Sequence, residues 1–175
     1  TTTTNNLQQI KHRSITNHMK TITSQIAQNK KVLLRIDLDV PLDDNNNVED
    51  VTRLTSVLPT LNLLKDSASQ IIIIGHLGRP EGQFNEKFSL KPVCQKLSEL
   101  LSQPIEFIPY NLDPTPLNSS SHFVMLDNMR FNPGEETNDS NLAKQLASLA
   151  DIFVFDAFAV SHRAAASTVG VTDLI

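Results

Sequence analysis

The sequence has few of the residues that mark several common protein classes. Its 175 residues include one cysteine, Cys94, and no tryptophan. A single cysteine excludes an internal disulfide and is typical of proteins in a reducing compartment. No apolar run approaches the roughly 20 residues that a transmembrane helix requires. These absences argue against a disulfide-stabilised secreted domain and against a membrane-bound chain.

Positive charge and glycine are also scarce. The formal net charge is −4, so attraction to nucleic acid through bulk electrostatics is not expected. The five glycines form neither a Walker A loop nor a Gly-x-Gly-x-x-Gly element, so the sequence offers no evident loop for a nucleoside triphosphate. The five histidines show no metal-ligand spacing, and we predict no metal site.

The first 29 residues differ in composition from the rest. They contain no acidic residue and are rich in Thr, Asn and Gln. We predict a polar, partly disordered tail over residues 1–29 and one domain over residues 30–175 in a cytoplasmic protein. An organelle transit peptide is an alternative for the tail, because such segments are acid-poor and rich in hydroxyl side chains. Translation from Met19 is another alternative.

Short apolar segments alternate with longer amphipathic ones from residue 30 onward. The apolar segments, rich in β-branched and aromatic residues, predict five buried strands over 32–37, 70–75, 105–108, 122–126 and 152–155. Leucines at helical spacing predict helices over 51–65, 89–101 and 138–149, with Asp50 and Ser89 as caps of the first two. This order predicts an α/β fold, with an open, mainly parallel sheet and helices on both faces (a Rossmann-like three-layer sandwich).

Five of the six arginines lie at or near the predicted strand ends, whereas the nine lysines lie in the tail or around the helices. These arginines are Arg35, Arg53, Arg79, Arg130 and Arg163. Ligands of open α/β sheets bind beyond the carboxyl ends of the strands, and guanidinium groups bind phosphate and carboxylate in a bidentate manner. We therefore predict a site for a small, multiply charged anion, with His76 beside the arginines. Local ion pairs are the alternative, with Asp37 as the partner of Arg35, and Asp127 or Asp156 as the partner of Arg130 and of Arg163.

A series of motifs in this sequence resembles the phosphoglycerate kinase family. Residues 35–41 (Arg-Ile-Asp-Leu-Asp-Val-Pro) resemble the opening motif of that family, and Thr52 with Arg53 resembles the next. Residues 75–80 (Gly-His-Leu-Gly-Arg-Pro) resemble its Ser-His-Leu-Gly-Arg-Pro loop. Residues 127–136 and 156–170 continue the series in the family's order. The resemblance covers residues 31–171.

The resemblance implies the N-terminal domain of that family, which binds 3-phosphoglycerate. It implies that the substrate contacts seven side chains: Asp37, Asp39, Arg53, His76, Arg79, Arg130 and Arg163. The arginine that matches Arg53 is the catalytic one, because in the family it steadies the phosphoryl group during transfer. Arg35, inside a strand, is expected to support the site.

The resemblance also implies partners and co-substrates. In the family, a phosphoryl group passes reversibly from MgATP to the carboxylate of 3-phosphoglycerate, and the products are MgADP and 1,3-bisphosphoglycerate. The nucleotide-binding domain that follows in the family has no counterpart in this sequence, so we expect a gene truncation or fragment. The chain should be monomeric, bind the acid weakly, bind no nucleotide, metal, nucleic acid or membrane, and show no kinase turnover alone.

Three residues depart from the family pattern. Asp39 stands where the family has asparagine, Ala165 where it commonly has histidine, and Ala159 where it has glycine. A second carboxylate at position 39 should repel an anionic ligand, and alanine at position 165 removes a potential positive charge. We expect these changes to weaken binding of the substrate.

Two other functions fit parts of the sequence. Asp37 and Asp39 after an apolar strand resemble the Asp-x-Asp opening of haloacid-dehalogenase phosphatases, in which they would be nucleophile and acid/base around Mg²⁺. That superfamily needs a Ser or Thr after a later strand, where this sequence has Gly75 and His76. The other alternative is a non-catalytic module that binds phosphorylated acids.

Overall fold

The apolar segments of the sequence form a five-stranded sheet in the computed structural model, which describes residues 20–111 and 115–175. The strands are β1 (Lys31–Ile36), β2 (Gln70–Ile74), β3 (Glu106–Ile108), β4 (Phe123–Leu126) and β5 (Ile152–Asp156). They lie in the order β3-β4-β2-β1-β5, and every pairing between neighbours is parallel. The predicted α/β class and parallel sheet are confirmed, and all five strands overlap the predicted segments.

Five α-helices accompany the strands in the described part of the chain. They are α1 (Ser24–Ala27), α2 (Thr52–Ser56), α3 (Leu58–Lys65), α4 (Lys91–Leu101) and α5 (Ser140–Ala147). Short 3-10 turns lie at Glu86–Phe88, Met129–Phe131 and Phe158–Val160, and a π-helical turn lies at Ala166–Gly170.

The single helix predicted over residues 51–65 is two helices. Pro59 lies in the first turn of α3 and has no N–H to donate to the carbonyl groups of α2, so the hydrogen-bond ladder breaks at Val57. Val51, and not the predicted Asp50, lies at the N-cap position of α2, although Asp50 Oδ1 accepts the Thr52 N–H at 2.7 Å from one residue earlier. The helix predicted from residue 89 begins at Lys91, whose N–H donates to Ser89 Oγ at 3.3 Å.

Side chains of each central strand alternate between two apolar layers. Val32, Leu34 and Ile36 of β1 pack with residues of α2, α3 and α4, whereas Leu33 packs on the opposite face with residues of α5. Fully burying a side chain of this size contributes about 1.5–3 kcal/mol, so covering both faces stabilises the sheet strongly. The prediction of helices on both faces is confirmed.

Part of the segment predicted as a tail is helical. Helix α1 lies within residues 1–29, and its Ala27 is buried in the layer that covers β1. Residues 1–19 lie outside the described residues, so their predicted disorder stays a prediction. No helix within residues 20–111 or 115–175 is both long and apolar enough to cross a membrane.

Candidate functional site

The carboxyl ends of four strands open into one polar cleft. Asp37 and Asp39 follow β1, Arg79 follows β2, Arg130 follows β4 and Arg163 follows β5. The cleft has a volume of about 260 Å³. Its walls include all seven side chains predicted to contact the substrate: Asp37, Asp39, Arg53, His76, Arg79, Arg130 and Arg163. Gly78, Ala159, Val160 and His162 complete the lining.

Arg53 enters the cleft from α2 and pairs with Asp37. Its Nη1 donates to both carboxylate oxygens, at 3.1 Å from Oδ1 and 3.0 Å from Oδ2. The Arg53 side chain is 47% exposed, whereas that of Asp37 is 15% exposed. Asp37 therefore holds a guanidinium group at the rim, where it faces solvent or a ligand.

Asp39 connects the segment after β1 to the loop after β2. Its Oδ1 accepts the Gly78 N–H at 2.8 Å, and its own N–H donates to Asp37 Oδ1 at 3.2 Å. Gly78 has φ +61°, and a Cβ there would lie 2.5 Å from the Phe88 ring. The loop therefore requires glycine at this position for both backbone conformation and space.

His76 is buried at the base of the cleft and lies between two charged groups. Arg35 Nη2 lies 3.1 Å from its Nδ1, and Asp39 Oδ2 lies 3.7 Å from its Nε2. Burial, together with the positive charges of Arg35, Arg130 and Arg163, lowers the pKa of His76 to about 3, although Asp39 opposes the shift. The ring is therefore neutral near pH 7, and its approach to Asp39 is not an ion pair.

Arg130 and Arg163 share one carboxylate. Glu136 Oε1 lies 3.4 Å from Arg130 Nε and 3.8 Å from Arg163 Nη1, and Arg130 Nη1 donates to the Gly78 carbonyl at 2.7 Å. Burial lowers the pKa of Arg130, and Glu136 opposes that shift. Sequence reasoning did not assign Glu136 to the site, although it lies in the 127–136 motif. Arg79 lines the cleft from an exposed position, and none of the ion pairs between described residues involves it.

The acids predicted as local ion-pair partners of Arg35, Arg130 and Arg163 are not their partners: Arg35 contacts His76, and the other two arginines approach Glu136. Asp127 accepts the Leu90 N–H at 2.8 Å and the Asn128 N–H at 2.9 Å instead of pairing with Arg130. Asp156 Oδ2 accepts the Thr60 hydroxyl at 2.6 Å instead of pairing with Arg163. Both arginines are therefore left to the cleft and to Glu136.

A second, smaller cavity of about 220 Å³ adjoins the cleft on the side of the π-helical turn. Arg35, Glu135 and Ala165 line it together with Arg130 and Arg163. Glu135 is buried and accepts both the N–H and the hydroxyl of Ser167. The Nε and Nη1 atoms of Arg35 have no hydrogen-bond partner among the described residues.

The phosphatase alternative does not fit the geometry around Asp37. Both oxygens of this carboxylate accept hydrogen bonds from Arg53, an arrangement that lowers the nucleophilicity of an aspartate. Within the described residues, no group of three His, Cys, Asp or Glu side chains could hold a metal ion. The cleft combines four arginines with two aspartates that are already hydrogen-bonded within the protein.

Comparisons with known proteins identify the family of this chain. Residues 22–175 match the family model described as phosphoglycerate kinase. The phosphoglycerate kinase of Synechococcus elongatus is 41% identical over 162 residues, which is 90% of this chain and 40% of that protein. The enzyme of Borrelia garinii is 46% identical over 151 residues, which is 83% of this chain and 38% of that protein.

Solved structures give the same result. The structure of phosphoglycerate kinase from Coxiella burnetii has a TM-score of 0.73 and 41% identity, covering 83% of this chain and 37% of that one. The crystal structure of the Pyrococcus horikoshii enzyme has a TM-score of 0.69 and 31% identity, covering 82% of this chain and 38% of that one. The chain spans about 40% of the length of the curated relatives it matches. It belongs to the phosphoglycerate kinase family.

Proposed function

We propose that this chain binds 3-phosphoglycerate and forms the acceptor half of a phosphoglycerate kinase. The observation that carries the proposal is the convergence of seven predicted side chains, from four strand ends and helix α2, on one cleft of about 260 Å³. Four of these side chains are arginines, and the two aspartates among them are already bonded within the protein. The substrate carries a phosphate of about −1.5 to −2 charge in addition to its carboxylate.

The arginines differ in position, and their roles follow from it. Arg130 is buried and fixed by Gly78 and Glu136, so it acts as an immobile site for an anionic oxygen. Arg53 lies at the rim on Asp37 and is half exposed. A group in that position can remain in contact with a phosphoryl group that moves between the cleft and a donor outside it. We therefore assign the catalytic role to Arg53.

The proposed reaction forms one bond and breaks one. A carboxylate oxygen of 3-phosphoglycerate attacks the γ-phosphorus of MgATP, the bond to the β-phosphate oxygen breaks, and MgADP leaves. No proton is transferred in this step, so the protein contributes position and positive charge. We assign no described residue to the nucleotide or to Mg²⁺, and the proposal places their site in the portion of the relatives that this chain does not span.

Isothermal titration calorimetry tests the proposal directly. The chain should bind 3-phosphoglycerate, and Arg130→Met should raise Kd at least tenfold because a hydrogen-bonded charge contact is lost. Lys96→Met is the matched control, since Lys96 pairs with Glu99 on α4, away from the cleft lining. Absence of binding, or equal effects of the two variants, would contradict the proposal. ATP-dependent formation of 1,3-bisphosphoglycerate by the chain alone would contradict the assignment of an acceptor half.

A further inference from the structure

Arg35 contacts the base of the cleft without lining it. It lies inside β1, is 2% exposed, and its Nη2 is 3.1 Å from Nδ1 of His76. A guanidinium group has five N–H donors and no acceptor. Nδ1 of His76 must therefore be the acceptor, with its lone pair directed at Arg35.

The charges around His76 act in the same direction as this contact. Arg35 faces the ring from β1, Arg130 from the 3-10 turn after β4 and Arg163 from the loop after β5, while among the described residues the carboxylate of Asp39 opposes them. Burial and the three cations oppose a second proton on the ring. A neutral imidazole that has its lone pair on Nδ1 carries its proton on Nε2.

We propose that Arg35 is a positioning residue that fixes His76 as the neutral Nε2–H tautomer, so that the cleft presents an N–H donor to an oxygen of the bound acid. His76 lines the cleft, and its Nε2 is 3.7 Å from Asp39 Oδ2, too far for a hydrogen bond. The donor is therefore open to a carboxylate or hydroxyl oxygen. The opposite tautomer would direct a lone pair at the same oxygen and repel it. This inference rests on the proposed function only for the identity of the ligand.

Nuclear magnetic resonance of the ligand-free chain, labelled with ¹⁵N at histidine, tests the tautomer without any substrate. Between pH 6 and pH 8, His76 should show a protonated Nε2 and an unprotonated Nδ1. His122 provides a reference within the same chain, because both of its ring nitrogens face carbonyl oxygens and neither faces an arginine. Its Nε2 lies 2.9 Å from the Lys65 carbonyl oxygen, and its Nδ1 lies 3.3 Å from the Ser69 carbonyl oxygen. An Nδ1–H tautomer, or a ring that is doubly protonated at pH 6, would overturn the proposal.

Two variants separate positioning from a general structural effect. Arg35→Met removes the donor and should produce a mixture of His76 tautomers, whereas Arg35→Lys keeps a donor and should retain more of the Nε2–H form. The measurement on the unsubstituted chain decides the tautomer even where Arg35→Met does not fold.

A double-mutant cycle connects the tautomer to ligand binding. Arg35→Met should raise Kd for 3-phosphoglycerate about tenfold in the original chain, and far less in a His76→Gln background, because Arg35 acts through His76. Equal losses in both backgrounds would overturn the positioning role. A chain that shows the Nε2–H tautomer but does not bind 3-phosphoglycerate would contradict the proposed function and leave the assignment of the tautomer intact.

Discussion

The side chain of Asp39 is bonded to the backbone of Gly78, whose N–H donates to Oδ1 at 2.8 Å. This bond joins the segment after β1 to the loop after β2. It uses one carboxylate oxygen, and the other is directed toward His76 and the cleft. An asparagine could accept the same bond through its amide oxygen and place an NH₂ group where the second oxygen now lies.

Asp39→Asn should therefore tighten the binding of 3-phosphoglycerate. The substitution removes a negative charge from the cleft and adds a donor beside His76, while the bond to Gly78 is retained. We expect Kd to fall about tenfold, the equivalent of one charge-assisted hydrogen bond. Calorimetry measures the change, with Asp43→Asn in the exposed loop after β1 as the control. Unchanged or weaker binding by Asp39→Asn would show that the carboxylate does not repel the ligand.

Gly78→Ala should destabilise the fold. The residue has φ +61°, which costs an L-residue roughly 1–2 kcal/mol. Its new Cβ would lie 2.5 Å from the Phe88 ring, and overpacking of this kind costs about 1–3 kcal/mol. Denaturant unfolding should show a loss of about 2–5 kcal/mol, the combined effect of the two costs.

The control for this substitution is Ser102→Gly. Ser102 is exposed and has φ 53° at the end of α4, so glycine relieves strain there and should leave stability equal or higher. Similar losses in both variants would show that backbone conformation and space do not explain the requirement for Gly78.

The stability of the chain should fall in acid because of His76. Its pKa is about 3 in the folded chain against 6.5 in the unfolded chain, so the unfolded chain binds the additional proton between these values. The stabilisation is therefore complete above pH 6.5 and is lost as the pH falls toward 3, at about 1.4 kcal/mol per pH unit for one proton. Between pH 6.5 and pH 5 the free energy of unfolding should fall by up to about 2 kcal/mol from this group.

Urea unfolding over that pH range tests the assignment. His76→Gln should reduce the slope, whereas His162→Gln, at an exposed position, should retain it. If both variants keep the slope of the original chain, His76 is not the group responsible.

The sequence predicted the parts of this structure that depend on local pattern. The strands followed from runs such as 71–74, and the clustered arginines from their places after strand ends, because parallel strands bring those ends together. Asp37 and Asp39 were assigned to the site by the family resemblance. The contact between Arg35 and His76 depends on register instead. Arg35 lies opposite Ile74, so a residue two positions beyond Ile74 comes within reach. No local pattern specifies the register of a strand that is buried on both faces.

Glu136 was missed for a related reason. It lies on a turn after the 3-10 segment Met129–Phe131, and its partners come from two different strand ends. A glutamate in a turn is ordinarily a solvated residue, and only the folded path of the chain brings it to Arg130 and Arg163. The break at Val57 could have been predicted, since Pro59 cannot continue the hydrogen bonds of the preceding helix.

Ala165→His should stabilise the chain by giving Arg35 a hydrogen-bond partner. Ala165 lines the cavity of about 220 Å³ beside Arg35, whose Nε and Nη1 have no partner among the described residues. A neutral imidazole in that space can accept one of these N–H groups, which is worth roughly 1.5–3 kcal/mol for a charged donor. Differential scanning fluorimetry should show Tm higher by several degrees, since about 1 kcal/mol shifts Tm by 2–4 °C at this size.

Ala165→Phe fills a similar volume without an acceptor and is the matched control. A gain for histidine but not for phenylalanine would assign the effect to the hydrogen bond with Arg35. Equal gains would assign it to volume alone, and a loss for histidine would show that the cavity does not accommodate the ring.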